Sequence, residues 1–346
     1  MMINCSKLPQ VLDIPNKAFP ATIYPGSVFD ETIYKCILLD EYFKKFDSSF
    51  LSKYKNISLI RAYAMGDILQ LIPVARYLKR VYNYTNTYIV TNNEFKVFGS
   101  IFKDIKFISE CLLWGESFDF GLKVNLDGCL EKDHSLSNKE NALHRIEIYF
   151  NSLGLKNIKK EDLDWSADLS EVQLPFTMDE TKKYIGIQMR GSGEIKTLPK
   201  DYVHSLISVL SKDYTVVLMD HDKNQGFEGE NILNLCGKIS TIQCIAVLSK
   251  IKACVTMDSG MLWMAHVAKC PVVALLGPTR INERVSLHPL YPEKAKGIQI
   301  TDLIGCQPCF ETRKFCGGRI RCMKDFPRDK LTSEILKNIK MILGEN

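Results

Sequence analysis

The chain has 346 residues and a formal charge of +5, with 46% hydrophobic and 25% charged residues. That length exceeds one comfortable core and suits two α/β domains, and the composition excludes a disordered or fibrous chain. Lys and Arg are interleaved with Asp and Glu, so the charge supports a mild preference for anionic ligands and gives no reason to expect nucleic acid.

The start, Met1-Met2-Ile3-Asn4-Cys5-Ser6, lacks a basic segment followed by a long apolar run and does not read as a secretory signal. The apolar region from Ala253 to Gly277 is broken by Asp258, His266 and Lys269, short of a membrane span. A cytoplasmic protein with reduced thiols is expected, and among its twelve cysteines any cluster points to metal before disulfide.

In chain order, residues 1–56 read as an N-terminal extension punctuated by Pro9, Pro15, Pro20, Pro25 and Gly26, with a helix from about Asp30 to Phe46. Residues 57–170 read as a first α/β domain. Ile57–Ile60 is a strand that turns through Ala64-Met65-Gly66-Asp67 into a helical pattern with Ile68, Leu71, Ile72, Ala75 and Leu78 on one face. Pro73 means that the helix either starts there or is kinked. Thr87–Val90 and Phe120–Leu126 are further strands, and the acidic, aperiodic stretch from Glu161 to Glu180 reads as a linker. Residues 171–346 form the second domain, with strands at Tyr184–Gln188, Thr215–Met219, Ile232–Leu235, Ala253–Thr256 and Val272–Leu275. Helices at Tyr202–Leu210, Ile242–Leu248 and Met261–Ala268 separate most of them. Such alternation predicts a parallel sheet covered on both faces, with ligands beyond the carboxyl ends of its strands.

Four segments carry candidate chemistry. Asp67 stands at a strand-to-helix junction, where a carboxylate serves as a general base or simply caps the helix. Asp258-Ser259-Gly260-Met261 ends one strand and opens a helix, and Gly277-Pro278-Thr279 follows the next. Together they form a seat for phosphates, or Asp258 and Ser259 are only caps. Arg190 and Lys196 flank the glycines of Met189-Arg190-Gly191-Ser192-Gly193, as an anion clamp or an ordinary surface turn. Cys306, Cys309, Cys316 and Cys322, in segment 306–322, supply four thiols to one structural zinc or iron, or remain reduced thiols. The basic residues around them raise a nucleic-acid module as a secondary reading.

With these segments in view, residues 57 to 343 resemble glycosyltransferase family 9, the ADP-heptose:lipopolysaccharide heptosyltransferases and their relatives. The resemblance rests on Gly66-Asp67-Ile68-Leu69 with Pro73 and Leu78-Lys79, Asn125-Leu126-Asp127-Gly128, Lys196-Thr197-Leu198-Pro199, Asn234-Leu235-Cys236-Gly237-Lys238, Asp258-Ser259-Gly260, and Pro271 through Thr279. It implies a GT-B fold, two Rossmann-like domains facing across a cleft with the donor mainly in the second. It also implies an inverting transfer from a nucleotide sugar, an ADP-sugar by preference, without a catalytic metal. The acceptor it implies is a surface glycan, lipopolysaccharide core, lipid-linked or protein hydroxyl, reached at the inner membrane face. Asp67 would be the base and Lys196 the support for the departing diphosphate. Asp258 and the backbone after it would hold the donor, with Arg190 and Thr279 on the same side. Some relatives that glycosylate proteins carry a four-cysteine finger holding iron near this end. The chain departs from the family pattern at Trp263, where a histidine is usual, with His266 one turn further on, so donor contacts are expected to differ. Trp263 also motivates the alternative of a non-catalytic nucleotide-sugar-binding or assembly subunit. The extension before Ile57 is expected to serve homo-oligomer formation or acceptor recognition.

Overall fold

The computed structural model describes residues 51–109, 121–126, 129–130, 143–221, 227–309 and 317–345, with the backbone alone at 2–4, 10–12, 21–23, 28–30, 35–37 and 48–50. The chain forms two compact units that divide between Asp164 and Trp165, where the sequence suggested 170.

In the first unit, β1 (Met2–Asn4), β2 (Gln10–Leu12), β3 (Ala21–Ile23), β4 (Val28–Asp30) and β5 (Lys35–Ile37) precede β6 (Asn56–Ile60). Then come α1 (Met65–Leu69), α2 (Leu71–Tyr82), β7 (Asn86–Thr91), β8 (Lys106–Ser109), β9 (Leu122–Asn125) and α3 (Arg145–Ser152). Every residue of β6 is buried, and α2 buries Leu71, Ile72, Val74, Ala75 and Leu78 at helical spacing. The periodic run read as one helix is two short ones joined at Gln70. Pro73 sits in the first turn of α2, where its missing N–H leaves no bond unmade.

The sheet order is β5-β4-β1-β9-β6-β7-β8. Its parallel part β8-β7-β6-β9 is the 3-2-1-4 start of a doubly wound sheet. β1 pairs parallel to β9, and β4 and β5 continue antiparallel. The helix expected from Asp30 to Phe46 is therefore corrected. Asp30 ends one strand and Lys35–Ile37 is its partner, while residues 38–47 lie outside the described residues. Without β1, β9 would be an edge with a row of unpaired N–H and C=O groups, and sheet pairing overrides a weak local helical pattern. The segment read as an extension thus supplies three strands to the first sheet.

The second unit runs through β10 (Tyr184–Gln188), α4 (Lys200–Leu210), β11 (Thr215–Leu218), β12 (Ile232–Asn234), α5 (Thr241–Leu248), β13 (Ala253–Met257), α6 (Gly260–Ala268) and β14 (Val272–Leu276). It continues with α7 (Ile281–Arg284), β15 (Ala295–Gln299), α8 (Ile300–Leu303), α9 (Arg321–Lys324) and α10 (Arg328–Leu343). All six strands are parallel in the order β12-β11-β10-β13-β14-β15. This is the 3-2-1-4-5-6 winding, whose direction reverses between β10 and β13. α10 buries Leu331, Ile335, Ile339 and Ile342 against this sheet's core, each contributing about 2 kcal/mol by leaving water. Among the described residues no helix is long and apolar enough to cross a membrane.

Candidate active site

In a doubly wound sheet the crevice for a ligand opens where the strand order reverses, beyond the carboxyl ends. In the first unit that point lies between β6 and β9, and the chain leaving β6 runs Arg61 to Asp67. Ala64 adopts φ 67°, ψ 99°, a rare conformation for a residue with a Cβ. Its carbonyl accepts from the N–H groups of Asp67 at 2.8 Å and Ile68 at 3.1 Å, so the helix starts within this tight turn.

Asp67 is 8% exposed. Its Oδ2 accepts from Arg61 Nη2 at 2.5 Å, and its Oδ1 from Arg145 Nη2 at 2.5 Å and Gln70 Nε2 at 3.3 Å. The simple helix-cap reading is corrected: the carboxylate bonds side chains, with no helix N–H among its partners in the described residues. Arg145 is delivered by α3, which starts on a capping box. Ile146 N–H donates to His144 Nδ1 at 3.2 Å, and His144 N–H donates to Glu147 Oε2 at 2.7 Å. One turn after Arg145, on the same face, Tyr149 donates its hydroxyl to the Asp67 carbonyl at 3.3 Å. Complete burial, and then the charge of Asp67, push the Tyr149 phenol well above its ordinary range, so it stays a donor.

In the second unit the reversal falls between Gln188, which ends β10, and Asp258, which follows β13. Gln188 Oε1 accepts from Thr256 Oγ1 at 2.7 Å and Ser259 Oγ at 2.9 Å, tying the two strand ends together. Ser259 is the N-cap of α6 and accepts from Met261 N–H at 3.2 Å; Gly260 is the helix's first residue. Asp258 is not the cap. Its Oδ1 accepts from Arg284 Nε at 2.9 Å, and its Oδ2 from Thr279 Oγ1 at 2.9 Å, with Lys196 Nζ 3.3 Å from Oδ2. Lys196 sits on a loop that closes on itself through Gly191 N–H to Lys196 O at 2.8 Å and Leu198 N–H to Met189 O at 3.1 Å. A Cβ at residue 191 would meet Lys196 Cβ at 2.6 Å, so glycine permits the closure. Gln299 Nε2 lies 3.0 Å from the Thr279 carbonyl and 3.2 Å from that of Gly277, bracing the loop after β14.

Beside these groups, at the ends of β10 and β11, a cavity of about 280 Å³ is lined by Gln188, Arg190, Lys200, Asp220, Phe227 and Cys236 among others. The structure therefore brings Lys196, Asp258 and Thr279 into contact and places Ser259, Gly260 and Met261 beside them, with Arg190 on the cavity wall. Sequence reasoning missed Arg61, Arg145, Gln188 and Arg284. Arg61 and Gln188 had a usable signal as polar residues at strand exits; Arg145 and Arg284 are distant in sequence from the aspartates they hold.

His266, one turn beyond Trp263, is fully buried, with Nδ1 2.8 Å from the Leu262 carbonyl. Its ring packs 4.8 Å from Trp263, 5.1 Å from Trp165 and 4.4 Å from His288. Burial, opposed only in part by the backbone of Leu262 and Arg284, lowers its pKa to about 4. Among the described residues of the cysteine segment no three His, Cys, Asp or Glu converge for a metal ion. Cys309 and Cys322 are buried, Cys306 is half-buried, and Cys316 lies outside the described residues. Cys322 Sγ faces Gly277, 3.2 Å from where a Cβ would stand.

Comparison with known proteins gives these sites a context. The model of glycosyltransferase family 9 (heptosyltransferase) matches residues 128–318, more than half of the chain. Lipooligosaccharide heptosyltransferase 2 of Campylobacter jejuni subsp. jejuni serotype O:6 is 27% identical over 217 residues, which cover 58% of this chain. The match spans 66% of that relative's length, just under two thirds. A glycosyl transferase family 9 structure from Veillonella parvula has TM-score 0.57 at 12% identity, covering 82% of this chain and 97% of its own. The iron-containing dodecameric heptosyltransferase TibC of enterotoxigenic E. coli, solved with ADP-D-beta-D-heptose, has TM-score 0.56 at 12% identity, covering 94% and 87%. These structures share the expected GT-B class of α/β fold, and the family model extends the motif resemblance to a match across both switch-point loops of the second unit. The chain therefore belongs to glycosyltransferase family 9, the heptosyltransferase family.

Proposed function

We propose that this protein is an inverting glycosyltransferase that moves a heptose or related sugar from a nucleotide sugar, an ADP-sugar by preference, to an acceptor hydroxyl. The acceptor is a surface glycan such as lipopolysaccharide core, or a glycoprotein, met at the cytoplasmic face of the membrane. The observation that carries this reading is Asp67: a carboxylate at the reversal point of the first sheet, held by side chains rather than spent on a helix end. Three of its four lone-pair positions accept from Arg61, Arg145 and Gln70. The fourth, on Oδ2, is the position from which it takes the acceptor proton. As that proton leaves, the acceptor oxygen bonds the anomeric carbon, and the bond from this carbon to the diphosphate oxygen breaks with its electrons. Lys196, the α6 start at Ser259 to Met261, and Arg190 stabilise the charge that develops, so cations and oriented N–H groups serve where a divalent ion otherwise would. The cavity at Asp220 and Phe227 suits the nucleoside. A structural zinc or iron on Cys306, Cys309, Cys316 and Cys322, and assembly into a homo-oligomer, belong to the same proposal; TibC is both iron-containing and dodecameric.

Asp67→Asn tests it. A general base contributes about a hundredfold to ten-thousandfold, so transfer should collapse by that factor. ADP affinity should hold, because the ADP contacts proposed above lie in the second unit, and an unchanged melting temperature checks that the first unit of the variant is folded. Wild-type turnover by this variant would overturn the assignment. A wild-type protein that binds nucleotide sugar yet never turns it over would instead favour the non-catalytic reading.

A further inference from the structure

Asp258 is bound by two cations of different character. Arg284 is 1% exposed and donates to Oδ1 at 2.9 Å; the Lys196 side chain is 11% exposed and stands 3.3 Å from Oδ2. Arg284 is fixed by its surroundings. It ends α7, whose start is closed by Arg280 N–H donating to Glu283 Oε2 at 3.0 Å, and the preceding loop is braced by Gln299. Lys196 is a compact charge on a flexible four-carbon stem. Two cations on one carboxylate leave a net positive charge where Asp258, Ser259 and Thr279 form the rim of the sheet.

A lysine meant to follow a diphosphate must be able to leave its resting partner. If Lys196 were the only cation on Asp258, its departure would strand a buried, unpaired carboxylate, and the pair would hold together against the ligand. Arg284 and Thr279 remove that obstacle, since between them both oxygens of Asp258 stay satisfied when Lys196 moves. We propose that Arg284 is a positioning residue: it acts as the permanent counter-ion of Asp258 and so releases Lys196 to the diphosphate. The inference rests on the reading of Lys196 given above and adds a residue that neither the motif nor the sheet order identifies.

The test is calorimetric binding of ADP, inorganic pyrophosphate and adenosine to the full chain, comparing wild type with Arg284→Gln and with the double variant Arg284→Gln/Asp258→Asn. In the single variant Lys196 is locked to Asp258, so ADP and pyrophosphate should bind at least about tenfold more weakly while adenosine is unaffected. In the double variant no carboxylate competes for Lys196, and pyrophosphate affinity should return to within about threefold of wild type. A purely structural role predicts the reverse order, with adenosine lost in step and the double variant no better than the single one.

Should the single variant fail to fold, the double variant still decides, because it leaves no buried carboxylate stripped of its arginine. Pyrophosphate affinity about tenfold below wild type in that folded protein overturns the proposal, as does an Arg284→Gln protein that binds pyrophosphate as wild type does. Wild type that binds neither ADP nor pyrophosphate is a separate result, and it overturns the functional reading along with the inference.

Discussion

At the scale of single residues, the chain places one aspartate at each sheet's reversal point and gives each two cations. Asp67 has Arg61 and Arg145, two rigid forks; Asp258 has one rigid fork and one mobile ammonium. That difference follows the proposed roles, since a base must be held still and a leaving-group cation must move. His266 supplies a residue-scale prediction of another kind. Its pKa is about 4 when folded, against about 6.5 for an exposed imidazole, because burial disfavours the cation. Between those values the unfolded chain binds a proton that the folded chain does not. Stability is therefore complete above about pH 6.5 and declines as pH falls toward 4, by at most about 3 kcal/mol from this group. His266→Phe removes the effect while keeping a ring against Trp263, Trp165 and His288. Thermal melts from pH 7 to pH 5 should fall more steeply for wild type than for the variant, and parallel curves would show that His266 does not carry the dependence.

At the scale of elements, the segment 306–322 carries the next prediction. Cys322 and Met323 of α9 pack against Gly277, whose loop also carries Thr279, so this segment supports the loop behind Asp258. If Cys306, Cys309, Cys316 and Cys322 hold one structural ion, elemental analysis of protein purified without chelator should find close to one zinc or iron per chain. Protein with neither metal that still binds ADP normally would identify reduced thiols. The elements themselves were unevenly legible in the sequence. The sequence pattern matches β10 at both ends, and β11, β13 and β14 to within one residue at their ends, because buried parallel strands are continuous apolar runs bounded by turns. β15, Ala-Lys-Gly-Ile-Gln, is an edge strand with neither a continuous run nor a clean alternation, and β5 falls in a stretch whose local pattern reads as helix. Both are defined by a neighbouring strand, which no local pattern reveals. The site divides in the same way. Asp67, Lys196 and Asp258 follow strand ends and were visible, whereas Arg145 and Arg284 reach their aspartates across the fold.

At the scale of the whole molecule, each unit closes its own sheet around its own core, and the donor contacts proposed here all belong to the second. A ligand that binds only the native state stabilises it by an amount set by its concentration over Kd, about 2.7 kcal/mol at a hundredfold excess. That stabilisation appears as slower amide exchange in the elements whose opening would release the ligand. With saturating ADP, protection should rise in β10, β11 and β13 and in the loop from Met189 to Leu198. These carry or flank Gln188, Arg190, Lys196, Asp220 and Asp258. β6 and β7, which are equally buried but belong to the first unit, serve as the internal reference and should exchange as in the free protein. Adenosine at saturation should protect the cavity wall at β10 and β11 while leaving the Lys196 loop nearly unchanged, because it brings no phosphate to that loop. Equal gains in β6 and β7, or a Lys196 loop as fast with ADP as without it, would move the diphosphate away from Lys196 and Asp258.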